Sequence, residues 1–204
     1  MQHACDTNNI HAIDEWVIKT VTKDIYKLNQ NGFKAPPISI NLSAKKLGES
    51  ALPKLFEEVI KRNFISPSAL KVEITENTLL QDIDKSTLIL EQLRQLGIKI
   101  CIDNFGTGYS SLSSIQALPI ESIKIDKSFI ENIAISHSDL EICRTFIQLG
   151  KSLKLNVIAE GVQSELQKEI LKKEGCHILQ GYLFSKPQPI DKIISELSKN
   201  PLSI

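Results

Sequence analysis

Six short β-branched runs alternate with longer stretches of helical period, and that alternation limits the possible folds more than any other feature of the chain. The runs are PPISINLSA, LKVEIT, KICIDNFG, SIKIDKSFI, LNVIAEGV and HILQGYLF. Between them apolar residues recur at spacings of three and four. The first such stripe is Ile10, Ile13, Val17, Val21, Ile25 and Leu28, stopped by Asn31-Gly32. Leu52, Leu55, Phe56, Val59 and Ile60 form a second with Pro53 near its start, and Ile89, Leu93 and Leu96 a third closed by Gly97. Ile142, Phe146, Leu149 and Leu153 form a fourth; Ser164 and Gln167 then have capping-box spacing ahead of a helix that Gly175 ends. A last helical stretch surrounds Ile193, Ile194 and Leu197. The runs read as continuously apolar, which predicts an α/β fold with a parallel sheet covered by helices.

Two architectures satisfy that alternation, an open doubly wound sheet and a barrel. An open nucleotide-binding sheet normally carries a Gly-rich phosphate turn after its first strand, and none follows PPISINLSA. The polar residues favour the barrel. Asn41, Glu73, Asp103, Lys124, Glu160 and Gln180 each stand at or near the C-terminal end of a different run, where a (β/α) barrel builds its active site.

Three carboxylates and an amide from different strands form an all-oxygen donor set, suited to Mg²⁺, Mn²⁺ or Ca²⁺ rather than to zinc or copper. Without a cation they repel one another; a divalent ion together with Lys124 neutralises them and offers a place for a phosphate oxygen. Phosphoester hydrolysis is the chemistry implied, with Lys124 holding a water or helping to deprotonate it. Glu76 reads equally as a solvated loop acid or as an anchor for the neighbouring Gly-rich loop. Asp126 is either a partner of a site residue or an ordinary loop-end acid. The loop Asn104 to Ser111 carries two glycines and two serines and reads as a phosphate cradle or a mobile turn. His3, His11, His137 and His177 show no paired spacing, so surface or packing roles are expected.

Composition removes several alternatives. With 42% hydrophobic and 24% charged residues in 204, one globular domain is expected. Twenty-four basic residues balance 24 acidic ones, and no basic stripe stands out, so a DNA or RNA polymer is not an expected partner. No apolar stretch is long enough to span a bilayer, and the N-terminus lacks a secretory pattern. Cys5, Cys101, Cys143 and Cys176 are widely spaced, which suggests buried, reduced thiols and a cytoplasmic chain.

The segments NLSA (41–44), EITE (73–76), DNFGTGYSSL (103–112), IKIDKSFI (123–130), IAEGV (158–162) and LQGYLFSKP (179–187) together resemble the EAL-domain family of cyclic-di-GMP phosphodiesterases. The resemblance implies a TIM-like barrel whose metal-dependent site cuts cyclic di-GMP to linear pGpG. By the same resemblance Asn41, Glu73 and Asp103 match metal ligands, with Asn104 at a further ligand position where an Asp is usual. Lys124 matches the lysine near the attacking water, Glu160 and Gln180 match further reaction-site residues, and Glu76 matches the anchor of the loop after Asp103. That loop is associated in the family with dimerisation and activation.

The Glu-Ala-Leu motif with its arginine belongs upstream of residue 1. Residues 1–204 are therefore expected to form a single EAL-type domain with about six of eight strands, the stretch 188–204 being its last helix and tail. Gln163 stands where a glutamate often ends the A-E-G-V-E run. The expectation is a cyclic-di-GMP signalling domain with absent or weak hydrolysis, binding the dinucleotide or a protein and holding Mg²⁺ or Mn²⁺ weakly. A homo-oligomer or a partner chain would cover the open barrel side. The alternative is an active metal-dependent phosphodiesterase completed by a longer gene product or a partner.

Overall fold

The computed structural model describes residues 10–80, 82–108 and 112–199; His3, Cys5 and the Tyr109-Ser110-Ser111 part of the Gly-rich loop lie outside the described residues. Helix α1 (Ile10–Gln30) precedes β1 (Ile38–Asn41), α2 (Ala44–Leu47) and α3 (Leu52–Asn63). Then come β2 (Leu70–Thr75), α4 (Glu76–Leu80), α5 (Ile83–Gln95), β3 (Lys99–Phe105), α6 (Leu112–Ala117), β4 (Ser122–Ile125) and α7 (Lys127–Glu131). The chain continues through α8 (His137–Leu153), β5 (Asn156–Glu160), α9 (Glu165–Lys173), β6 (Ile178–Gln180) and α10 (Ile190–Lys199). No helix among the described residues is long and apolar enough to cross a membrane.

All six strands are parallel, and each hydrogen-bonds to its sequence neighbour in the order β1-β2-β3-β4-β5-β6. A doubly wound sheet reverses strand order at a switch point. This sheet never reverses, and it curls into a half-barrel of the TIM-like kind.

The strands are not continuously apolar as the sequence reading expected. Ile40, Val72, Ile74, Ile100, Ile102 and Ile123 are buried in the main core shared with α1, α3 and α5. The residues between them in sequence are Asn41, Glu73, Cys101, Asp103, Ser122 and Lys124. Side chains alternate across a strand, so one face of the sheet is aliphatic and meets the helices while the other is polar. A second core cluster, including Ile125, Ala159, Ile147 and Leu171, joins β4 and β5 to α8 and α9.

In helix α1, Val17 and Val21 pack against the core and Ile25 and Leu28 are buried, as the stripe predicts, but the buried face also takes in polar residues. Its buried residues are Asp14, Ile18, Thr22, Ile25 and Leu28, whereas Ile13 and Trp16 are exposed. The polar members are accommodated locally: the Thr22 hydroxyl donates to Ile18 O at 3.0 Å, and the Ser43 hydroxyl donates to Asp14 Oδ2 at 2.5 Å. The capping box at Ser164 and Gln167 is present as read, and Gly175, with φ +88°, ends α9. Burial pushes the thiols of Cys101 and Cys143 up to about 12 and that of Cys176 to about 11, as expected of inert free cysteines.

Candidate active site

The strand register brings the polar residues to one end of the sheet. Asn41 pairs with Glu73, and Glu160 pairs with Gln180. Between β3 and β4 the register shifts: Ile102 pairs with Ile123, but the next pair is Phe105 with Ile125. Asp103 and Asn104 therefore both stand opposite Lys124 in a bulge, an arrangement that re-aims side chains next to sites. Asn104 has φ +53°, in the left-handed region that Asn tolerates better than most residues. The Thr107 N–H and hydroxyl both donate to its carbonyl oxygen, at 3.3 and 2.8 Å.

Lys124 is the centre of the site. Its Nζ donates to Glu73 Oε2 at 2.9 Å and lies 3.3 Å from both Asp103 Oδ1 and Glu160 Oε2. Glu73, Asp103 and Lys124 are buried, while Glu160 is half-buried. Burial opposes the lysine's charge, but the charges of Glu73, Asp103 and Glu160 and the hydrogen bond to Glu73 outweigh it and hold Lys124 above the usual lysine range. The group is an ammonium at neutral pH. Cys101 and Ser122 lie one step further from the strand ends, beneath Asp103 and Lys124, and both are fully buried.

The donor set fits a hard divalent cation by its chemistry. Three carboxylates face one ammonium, which leaves negative charge in excess, and Asp103 Oδ1 is buried without accepting a hydrogen bond from any described residue. The side-chain spacing is that of carboxylates drawn onto Lys124. Among the described residues no group of three His, Cys, Asp or Glu stands at metal-ligand distances.

Asn41 and Gln180 occupy the ends of β1 and β6 and are exposed there. Gln180, Glu160 and Ile38 line a cavity of about 980 Å³ that Tyr182, Lys127 and Ile193 also border. Lys127 and Tyr182 went unread in the sequence. Glycines nearby were the available signal: a Cβ on Gly161 would lie 2.6 Å from Lys127 Cβ, and one on Gly181 would lie 2.0 Å from Val162 O. Both mark close approaches around the cavity wall.

Glu76 opens α4 and is buried against the loop that follows β3, so it is not a solvated acid. Burial raises its pKa, against hydrogen bonds from the backbone N–H groups of Gly106 and Gly108. Asp126 is the N-cap of α7, its Oδ1 accepting from Ser128 N at 2.9 Å. Asp126 thus fixes the helix that begins after Lys124.

Comparison with known proteins gives a consistent picture. Residues 1–187 match the EAL domain family. The cyclic di-GMP phosphodiesterase NbdA of Pseudomonas aeruginosa is 36% identical over 181 residues, which cover 89% of this chain and 23% of NbdA. The bifunctional diguanylate cyclase/cyclic di-GMP phosphodiesterase MucR of the same organism is 37% identical over 192 residues, 94% of this chain and 28% of MucR. The chain spans about a quarter of the length of these curated relatives. The structure of the PaMucR phosphodiesterase in its c-di-GMP complex superimposes with a TM-score of 0.90 at 38% identity, covering 94% of this chain and 78% of that one. The EAL domain of Mycobacterium smegmatis DcpA superimposes with a TM-score of 0.87 at 31% identity, covering 92% and 84%. By sequence and by fold, this chain belongs to the EAL domain family.

Proposed function

We propose that this chain carries a metal-dependent phosphodiesterase site for cyclic di-GMP, with linear pGpG as product. The observation that carries the reading is the convergence of Glu73, Asp103 and Glu160 on Lys124 from four adjacent strand ends. Structures and curated proteins of the same family named as cyclic di-GMP phosphodiesterases support it.

Asp103, Glu73 and Glu160 are the proposed ligands, with the amide oxygens of Asn41 and Asn104 completing the set. Mg²⁺ or Mn²⁺ bound there supplies Lewis acidity at the phosphodiester and acidifies a water. Lys124, an ammonium held by its carboxylate partners, acts as a donor: it holds a water or a phosphoryl oxygen in place and offsets charge as the bond to the leaving oxygen breaks. Gln180 has both amide donors and an acceptor on the cavity rim and orients the dinucleotide. Asp126 keeps α7 in register behind Lys124.

A second reading, dinucleotide binding with weak or absent hydrolysis, rests on Asn104. A neutral amide at the bulge binds a divalent ion more weakly than a carboxylate does. We also read the outer edges of β1 and β6, which pair with no further strand among the described residues, as surfaces that another polypeptide segment or a second copy covers.

The deciding experiment is release of pGpG from cyclic di-GMP by the purified chain with Mn²⁺, beside Lys124→Ala. Turnover that Lys124→Ala abolishes establishes the first reading. Tight dinucleotide binding without turnover establishes the second, and neither binding nor turnover defeats both.

A further inference from the structure

We infer that Phe146 of α8 is a positioning residue for the candidate metal site, acting through the β3 bulge; this rests on the reading of Asp103 and Asn104 as ligands. In an unbroken strand Phe105 would share a face with Asp103, because the two are separated by two positions. The extra residue in the bulge reverses that parity and turns Phe105 toward the helices, where it is buried.

Phe146 is what Phe105 meets there. Their ring centroids lie 5.1 Å apart with planes at 75°, an edge-to-face contact, and Phe129 of α7 also meets the Phe146 ring, at 5.6 Å and 79°. The same ring lies against the next residue of the loop. A Cβ built on Gly106 would lie 2.3 Å from Phe146 Cζ and 2.7 Å from its Cε2, so only glycine passes, and its φ of +93° fits the same demand. The aromatic contact thus holds Phe105 and Gly106 on the helix side. Across the loop, Gly108 lies against the Glu76 side chain, where a Cβ would come within 2.3 Å of Oε2.

Asp103 and Asn104 lie between two fixed points, the Ile102–Ile123 pair and the Phe105–Phe146 contact. If the second point is released, the register can relax by one residue, which moves Asn104 and with it the Asp103 carboxylate away from Lys124. Phe146 packs against both core clusters, so the position of α8 relative to the rest of the sheet is transmitted to the bulge through this ring.

The test compares Phe146→Leu with Ile147→Val, a change at the buried aliphatic neighbour on α8. Two readouts are used: amide hydrogen exchange at residues 104–108 in metal-free protein, and Mn²⁺ affinity by calorimetry. Phe146→Leu is expected to speed exchange at Asn104 to Gly108 and to weaken Mn²⁺ binding by roughly tenfold, as loss of an orienting contact does. Ile147→Val should change neither, although both variants lower the melting temperature. Phe105→Leu, which removes only the β3 half of the pair, carries the same expectation and serves if Phe146→Leu fails to fold. Exchange and affinity that match Ile147→Val in either folded variant overturn the inference. A wild-type chain without Mn²⁺ affinity defeats the metal reading instead, and the exchange comparison then decides the role of Phe146 alone.

Discussion

Lys124 Nζ donates to Glu73 Oε2 at 2.9 Å where both side chains are only 4% exposed, so the central ion pair of the site is almost wholly withdrawn from water. Two more carboxylates stand 3.3 Å from the same ammonium. A buried pair of this kind is a poor source of net stability, because desolvation offsets most of the attraction, but breaking it leaves a charge with no partner. Removing Lys124 would therefore leave three carboxylates facing one another with no cation between them.

The first prediction concerns that dependence. Lys124→Ala should lower folding stability by roughly 3–5 kcal/mol, the usual loss when one member of a buried pair is removed. Mn²⁺ should restore more stability to this variant than it adds to the wild type, since the stranded carboxylates then have a cation to bind. Urea denaturation with and without Mn²⁺ measures both. A loss below about 1 kcal/mol, the range of exposed pairs, would show that the carboxylates find other partners.

Much of this arrangement was legible in the sequence, for a reason visible in β2 and β4. In a one-directional parallel sheet every strand ends on the same side, so the C-terminal polar residue of each run is brought to one mouth whatever the loops do. Glu73, Asp103, Lys124, Glu160 and Gln180 follow from that alone. The bulge was not legible, because the string KICIDNF keeps the look of a simple strand and nothing in it announces the left-handed Asn104. The polar part of the buried face of α1 went unread, because Asp14 and Thr22 look like surface residues until the fold supplies their partners Ser43 and Ile18 O. Asp126 could not be told from a site acid, since a helix cap and a site partner use the same side chain.

Asp14 gives a pH-dependent prediction. Burial raises its pKa, against the hydrogen bonds of Ser43 and the charges of Lys46 and His11. A carboxyl whose folded-state pKa is raised contributes stability that is fully present below its ordinary value of 3.8 and is lost as pH rises through the folded value. Asp14→Asn removes that dependence while keeping an oxygen for the Ser43 hydroxyl. The variant should therefore gain on the wild type as pH rises from about 3 to 7. Melting temperatures across that range check it, and a variant-minus-wild-type difference that falls with rising pH contradicts the assignment.

The wall of the cavity makes a third prediction. Gly181 follows Gln180, and a Cβ there would meet Val162 O at 2.0 Å and Val162 N at 2.4 Å. These are backbone atoms held by bonds from Val162 N to Gln180 O and from Leu183 N to Val162 O, so neither can move alone. Gly181→Ala should destabilise the chain by about 3 kcal/mol or more, as overpacking against fixed backbone does. The same change at Gly32, where a Cβ meets nothing within 4 Å but φ is +81°, should cost only about 1 kcal/mol. Equal losses at the two positions would mean that the Val162 turn yields.

Asn104→Asp addresses the balance between hydrolysis and binding. The substitution adds a carboxylate beside Asp103 in a bulge that already faces Glu73 and Glu160 across Lys124. Without a divalent ion the new charge repels its neighbours, and the variant should lose on the order of 1 kcal/mol of stability at neutral pH. With Mn²⁺ present the sign reverses, because a charged oxygen replaces a neutral one, and affinity should rise about tenfold. The melting temperature should accordingly fall in a chelator and rise in Mn²⁺ relative to wild type, a crossover that neither a purely structural nor a purely electrostatic surface effect produces. If pGpG release rises together with affinity, Asn104 is what restrains hydrolysis in this chain. If affinity rises while turnover does not, the amide is not the limiting element and the dinucleotide must be held poorly elsewhere, with Gln180 and the cavity wall next to be tested. Lower stability in both conditions would show that the side chain at 104 never reaches the cation, and would remove it from the ligand set.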